Sequence, residues 1–325
     1  MAMAMTLLEI VRESTALLCK DLPIFMFITL TLIFPVSCIT LSQVFSESPL
    51  AGSLSLHLHK IAEAGGLLQS PINQALFTYS SQALLSHAFS FPVFITVWLL
   101  AKTATLYIAH CSDIDRQPSL LGFLSKGPRL WSRLAVTYLY TCVLVLGFTS
   151  FAMASPLILV GVTQSVGGSR SVLALIAALL AMVLSIGFAH LLMTSEVAHV
   201  VSVVEKKCAG RALLRALNLL QGRAQLALIL LVVSELAAFM ADGAFQKRVM
   251  AAQTATSLLE APFLIFFHSF IRLFQIIVNF VFYRSCFEEP SAEYEIPPSP
   301  DAPFPLQQIS VAVEIMDQCS KIYTV

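Results

Sequence analysis

Residues 225–245 read QLALILLVVSELAAFMADGAF. The apolar run is continuous rather than alternating. It is long enough to cross a hydrocarbon core, which needs about 20 helical residues. Two ionisable residues interrupt it, Glu235 and Asp242. A backbone in lipid finds no water, so its hydrogen bonds close within a helix or around a barrel. Barrel strands alternate apolar and polar residues, and this stretch does not. It reads as a transmembrane helix.

The same reading extends outward to five more segments, making six spans of an all-α, polytopic membrane bundle. The first covers 22–41 and is broken by Pro35; the second covers 84–110, with Pro92 near its start and Lys102 inside. The third covers 134–160, with Pro156 near its end, and the fourth covers 171–194, with helix continuing toward Val204. The fifth is the opening stretch, 225–245, and the sixth covers 258–283 and holds Arg272. Composition agrees. Of the 325 residues, 57% are hydrophobic and 12% charged, against about 25% charged in soluble domains. Mean hydropathy is +0.82, which needs lipid around it. A net charge of zero gives no footing for nucleic acid.

The spans occupy 22–286, flanked by two segments of different character. Residues 1–21 read as an interfacial helix with Leu8, Val11, Thr15 and Leu18 on one face. Glu9, Arg12, Glu13, Lys20 and Asp21 interrupt it, so it is not a cleavable signal peptide. Residues 287–325 are rich in proline and acid, and cannot bury enough apolar surface to order themselves. They are expected to be a disordered cytosolic tail, available to a cytosolic partner. Residues 42–83 form a long polar loop on the opposite side.

Lys and Arg collect on the cytosolic side of short loops. Thirteen basic residues fall in the N-terminal segment, the second and fourth connections and the tail, against four in the other loops. Both termini are therefore expected in the cytosol. Span lengths fit the endoplasmic reticulum or the plasma membrane. Every cysteine falls within a span or on the cytosolic side, so no extracytosolic disulfide is expected. Cys19, Cys111, Cys208 and Cys286 stand near membrane boundaries, as ordinary thiols or palmitoylation sites.

Three features bear on function. In the fourth span Ala177, Ala181, Ser185 and Ala189 recur every four residues, a spacing that lets helix backbones approach closely. The stripe serves either a central helix of the bundle or a homo-oligomer face. Next, Glu235 and Arg272 stand ~15 Å and ~16 Å from the cytosolic ends of sequential, antiparallel spans. Lys102 stands ~12 Å deep in the second span. Charges at such depths seek partners or a wet cavity. Two readings stand: an ion or solute path, and a buried pair fixing helix register.

The third feature is the fourth connection, with Lys206, Lys207, Arg211, Arg215 and Arg223 around a helix whose Leu213, Leu217 and Leu220 align. Anionic headgroups of the bilayer would attract it. Arg129, Trp131 and Arg133, before the third span, form a similar anchor with Trp131 at headgroup depth.

Catalytic motifs are absent: no HEXXH, G-x-S-x-G or P-loop occurs. Glu196 and His199 share a helical face near His190, but no catalytic set, metal site or cofactor is expected from them.

The stretch Glu205…Gly210…Ala212-Leu213…Arg215…Leu219…Gly222-Arg223, with Trp131-x-Arg133-Leu134, resembles a plant family of multi-pass transmembrane proteins whose activity is not established. More distantly it is similar to the membrane domain that accompanies some bacterial glycerophosphodiester phosphodiesterases. The likeness covers roughly residues 7–287. It implies six helices with cytosolic termini. The soluble phosphodiesterase domain is not seen, so that chemistry is not expected to transfer. The expectation is a non-enzymatic organiser of membrane partners or lipids. The alternatives are a small-solute transporter or channel subunit using Lys102, Glu235 and Arg272, and a lipid-modifying enzyme.

Overall fold

A computed structural model describes residues 7–43, 95–114, 116, 120–166, 170–250 and 255–288. The expected tail beyond 288, the loop after Gln43 and the first part of the second span lie outside the described residues. The described chain is helical, with no strand among the described residues. In chain order the helices are α1 (Leu7–Lys20), α2 (Leu22–Ile28), α3 (Phe34–Gln43), α4 (95–113), α5 (Leu120–Val166), α6 (Arg170–Val204), α7 (Ala209–Leu220), α8 (Ala224–Phe245) and α9 (Ala255–Glu288).

Five stretches are long and apolar enough to cross a membrane: Leu22–Leu41, Gly122–Ala152, Ala178–Val204, Ala224–Val249 and Glu260–Cys286. Large apolar side chains stay exposed along them, among them Leu30, Val143, Val183, Val233 and Phe263. In water such helices would hide those faces; in lipid the faces are already solvated. The second expected span is helical as α4 over its described residues, and it is not among those five.

Pro35 does not end the first span. It has no N–H for the carbonyl one turn back, and the helix absorbs the defect by widening to a π turn over Thr29–Ile33 before α3 resumes. Thr29 and Thr31 donate their hydroxyls to the carbonyls of Phe25 and Phe27 at 2.8 Å and 2.7 Å. A second π turn, Gln246–Met250, closes α8.

The chain divides into two compact units. Of the described residues, the first holds those within 7–13, 128–231 and 278–288. Its core includes Leu134, Val197, Val200, Val201, Ala212, Ala216 and Phe280. Here α7 folds back on α6. Thr137 accepts the Ala209 N–H at its hydroxyl, 3.0 Å away, and the same oxygen lies 3.0 Å from Ser202 Oγ. The α7–α8 corner is a type II turn: Gln221 is extended, Gly222 has φ +85°, and the Arg223 N–H reaches Leu220 O at 3.1 Å. Only glycine takes that φ at no steric cost.

The second unit comprises residues 14–127 and 232–277. Phe25, Ile28, Ile33, Leu99, Leu106, Leu273 and Ile277 fill its core. Lys20 donates to the Ser112 carbonyl at 2.8 Å, joining α1 to the end of α4.

Candidate functional site

Two polar clusters stand out, one in each unit, and each is described by itself.

In the second unit α8 and α9 meet along polar residues. Glu235 Oε1 accepts from Gln275 Nε2 at 2.8 Å and from Arg272 Nη1 at 3.3 Å. The second oxygen, Oε2, is 3.4 Å from the same Nη1. Arg272 also donates to Gln275 Oε1 at 3.0 Å. The Glu235 side chain is 49% exposed and that of Arg272 24%, so one flank of the pair is open. Seven residues along α8, Asp242 faces His268 of α9 across 3.4 Å, and His268 Nδ1 lies 3.0 Å from Ser37 Oγ of α3.

Glu235 and Arg272, read from sequence as either a pair or part of a solute path, lie within pairing distance. Lys102 is buried on α4, 2% exposed, and the partners that close the Glu235 carboxylate are Arg272 and Gln275. Asp242 is half-buried beside a buried histidine. Gln275, His268 and Ser37 were not singled out from sequence. A signal for two of them was present: His268, Arg272, Gln275, Asn279 and Tyr283 recur at spacings of three and four along the last span, which is one helical face.

In the first unit Glu205 follows α6 directly. Its carboxylate is 2.7 Å from Lys207 Nζ, 3.4 Å from Arg215 Nε and accepts the Tyr283 hydroxyl at 3.0 Å. Burial pushes this carboxyl up, but the bonds from Lys207 and Tyr283 and the charges of Lys207 and Arg215 outweigh it. The net result holds Glu205 below its ordinary value. Arg223 donates to Ser285 O at 2.9 Å, near the end of α9. Lys207, Arg215 and Arg223, read from sequence as headgroup ligands, make these bonds within the fold. Lys206, Arg211 and Arg129 are exposed, while Arg133 and Trp131 are half-buried.

Helix α7 has three sectors. Ala209, Ala212, Ala216 and Leu220 are buried. Leu214 and Leu217 are exposed on one flank, and Arg211 and Arg215 stand on the other by helical spacing. The expected Leu213/Leu217/Leu220 face is thus split, with Leu220 packed and Leu217 outward. Likewise α1 buries Ile10, Ser14, Leu17 and Leu18, leaving Leu8 and Val11 exposed.

Glu196 and His199 come together, 3.7 Å apart. Asn279 donates to Glu196 at 3.1 Å, Thr141 Oγ1 is 3.4 Å from His199 Nε2, and Tyr138 stacks on the His199 ring. His190 is exposed on the same helix. No group of three or more metal-ligating side chains occurs among the described residues. Along the fourth span Ala181 and Ser185 are exposed and Ala189 is half-buried; the side chain of Ala177 lies outside the described set. The close approach on α6 falls at Gly187, where an added Cβ would stand 3.2 Å from Phe148 Cζ. Cys19, Cys38, Cys111, Cys142, Cys208 and Cys286 are free thiols.

These features define a class: an all-α bundle with several helices long and apolar enough to cross a membrane, carrying polar clusters between those helices. Within that class the chain belongs to the DUF8558 family, described as a domain of unknown function, whose model matches residues 2–289. No curated protein and no solved structure matches the chain.

Proposed function

We propose that the chain is a non-enzymatic, multi-pass integral membrane protein whose α7 surface, facing the cytosol, organises anionic lipid headgroups. The observation that carries this reading is the three-sector pattern of α7. An in-plane interfacial helix needs one flank for acyl chains and one for headgroups. Leu214 and Leu217 supply the first, and Arg211 with Lys206 the second. The buried alanine face supports a fixed placement of the helix, so the two outer flanks are presented together. Each basic residue near an anionic surface contributes about 1 kcal/mol.

The test is reconstitution into nanodiscs of phosphatidylcholine alone or with phosphatidylserine. The wild type should unfold at a higher temperature with the anionic lipid, and Lys206→Gln with Arg211→Gln should abolish that difference. Equal melting in both bilayers would sink the reading.

A second reading rests on a different observation, the open flank of the Glu235–Arg272 pair. An ionised pair with a wet side suits a small-solute path. Solute flux in proteoliposomes tests it, and flux unchanged by Glu235→Gln removes its support.

A further inference from the structure

Three helices of the second unit meet at one side chain. His268 on α9 is 3% exposed. Its Nδ1 lies 3.0 Å from Ser37 Oγ on α3, and its Nε2 lies 3.4 Å from Asp242 Oδ1 on α8. His268 Nε2 and Asp242 Oδ1 are both buried, and neither has a hydrogen-bond partner among the described residues. An unpaired buried polar atom destabilises the fold. The two stand 3.4 Å apart with no hydrogen bond between them.

A Ser–His–Asp set invites comparison with nucleophilic hydrolases. The geometry argues against it. Ser37 sits inside α3, where backbone N–H groups are committed to the helix and none is aimed at an oxyanion. At 1% exposure its hydroxyl admits no carbonyl substrate. A metal ion would find two protein ligands, His268 and Asp242, where a catalytic zinc site uses three.

The gap fits a proton. We propose that His268 and Asp242 form a proton-binding site within the apolar helices, with Ser37 setting the orientation of the ring. In the neutral ring Nδ1–H donates to Ser37 Oγ, and the bare Nε2 faces the Asp242 carboxylate. On uptake one proton is added at Nε2 and none is released. Nε2–H then donates to Asp242, and the imidazolium stands beside a carboxylate with no net charge on the pair. The distance of 3.4 Å is longer than a charge-assisted bond, at about 2.7–2.9 Å. Protonation therefore draws α8 and α9 together at this level. The Asp242 side chain is 31% exposed, so part of it reaches the surface of the helices.

The charges acting on the site are few. Asp242 faces the ring from α8, with Glu235 two turns away on the same helix. Arg272 stands one turn from His268 on α9 and acts on both groups. Ser37 is the contact from α3. The proposal is independent of the headgroup reading, since it involves other residues and another ligand.

The test uses full-length protein, labelled with nitrogen-15 at histidine, in lipid bilayers. The His268 ring is assigned through its contact to Ser37, and its protonation is followed by NMR from about pH 4 to about pH 8. The expected result is reversible uptake of one proton, with Asp242→Asn weakening proton affinity about tenfold or more, as removal of an adjacent opposite charge requires. Ser37→Ala should change the tautomer of the neutral ring. A His268 ring that stays neutral throughout overturns the proposal, as does a midpoint unmoved by Asp242→Asn. Should Asp242→Asn fail to fold, the wild-type spectrum decides: a strongly hydrogen-bonded Nε2–H in the protonated form supports the site, and a weakly bonded one refutes it.

Discussion

Gln275 Nε2 lies 2.8 Å from Glu235 Oε1, closer than Arg272 Nη1 at 3.3 Å from the same oxygen. The expected ion pair is therefore a three-residue set, in which an uncharged amide makes the shortest bond. The amide lets the carboxylate keep a partner when the arginine is removed. Arg272 likewise keeps Gln275 Oε1, at 3.0 Å, when Glu235 is removed, so the difference between the two lies in burial. A more buried lone charge costs more, and Arg272 is the more buried of the two. Glu235→Gln should thus destabilise more than Arg272→Gln. The double variant should recover a coupling of about 0.5–1.5 kcal/mol, the scale of polar contacts between membrane helices. Thermal unfolding in detergent measures this, and strictly additive losses would mean the pair is uncoupled.

Thr137 is the second point of leverage. Its hydroxyl oxygen receives the N–H of Ala209, a buried residue held at φ +47°. Thr137→Val keeps the shape and removes the acceptor, leaving a buried N–H unpaired at a cost of about 1–3 kcal/mol. Thr137→Ser should retain most of the stability. Hydrogen exchange at the Ala209 amide should accelerate in the valine variant alone; equal exchange in both would rule out this role.

Glu205 sets a pH dependence whose sign follows from its shift. Its folded-state value is held below the ordinary 4.5. The folded state therefore binds its proton less readily than the unfolded state. The stabilisation is fully present above about pH 4.5 and is lost as pH falls through the lower, folded value. Melting temperatures from neutral pH into that acid range should fall less steeply in Glu205→Gln than in the wild type. Parallel curves would show that the three donors do not act through the charge.

Gly187 probes packing in α6. A side chain there meets the Phe148 ring at 3.2 Å from its first carbon. Gly187→Leu should overpack the contact and cost about 1–3 kcal/mol. Phe148→Ala in the same chain should return part of that loss. A leucine variant as stable as the wild type would show that the ring moves aside freely.

Some features were legible because a single helix carries them. The apolar runs led to helices at 22–41, 225–245 and 258–283, close to what the structure contains. The depths of Glu235 and Arg272 depend on rise per residue alone, so their matching level was legible, while the contact between them was not. The small stripe at Ala181 and Ser185 was legible as a pattern, but its exposure was not. The acidic tail, as a composition, was legible without any partner.

What the sequence determined by itself was the one-dimensional content: long apolar segments, their helical form, and the polar residues placed along them. Backbone hydrogen bonding in lipid leaves a helix little alternative, so those conclusions needed no neighbours. Only the tertiary structure decided which face of each helix packs. In water an apolar face points inward, but beside lipid both faces can be apolar, and hydropathy no longer tells them apart. In α7 the alanines went inside and Leu214 and Leu217 stayed out; in α1 Ile10 went in and Leu8 stayed out. The tertiary structure also decided that Ser37, Asp242 and His268 meet. They lie far apart in the chain, and their contact depends on the rotation of three helices about their own axes, which no local pattern encodes.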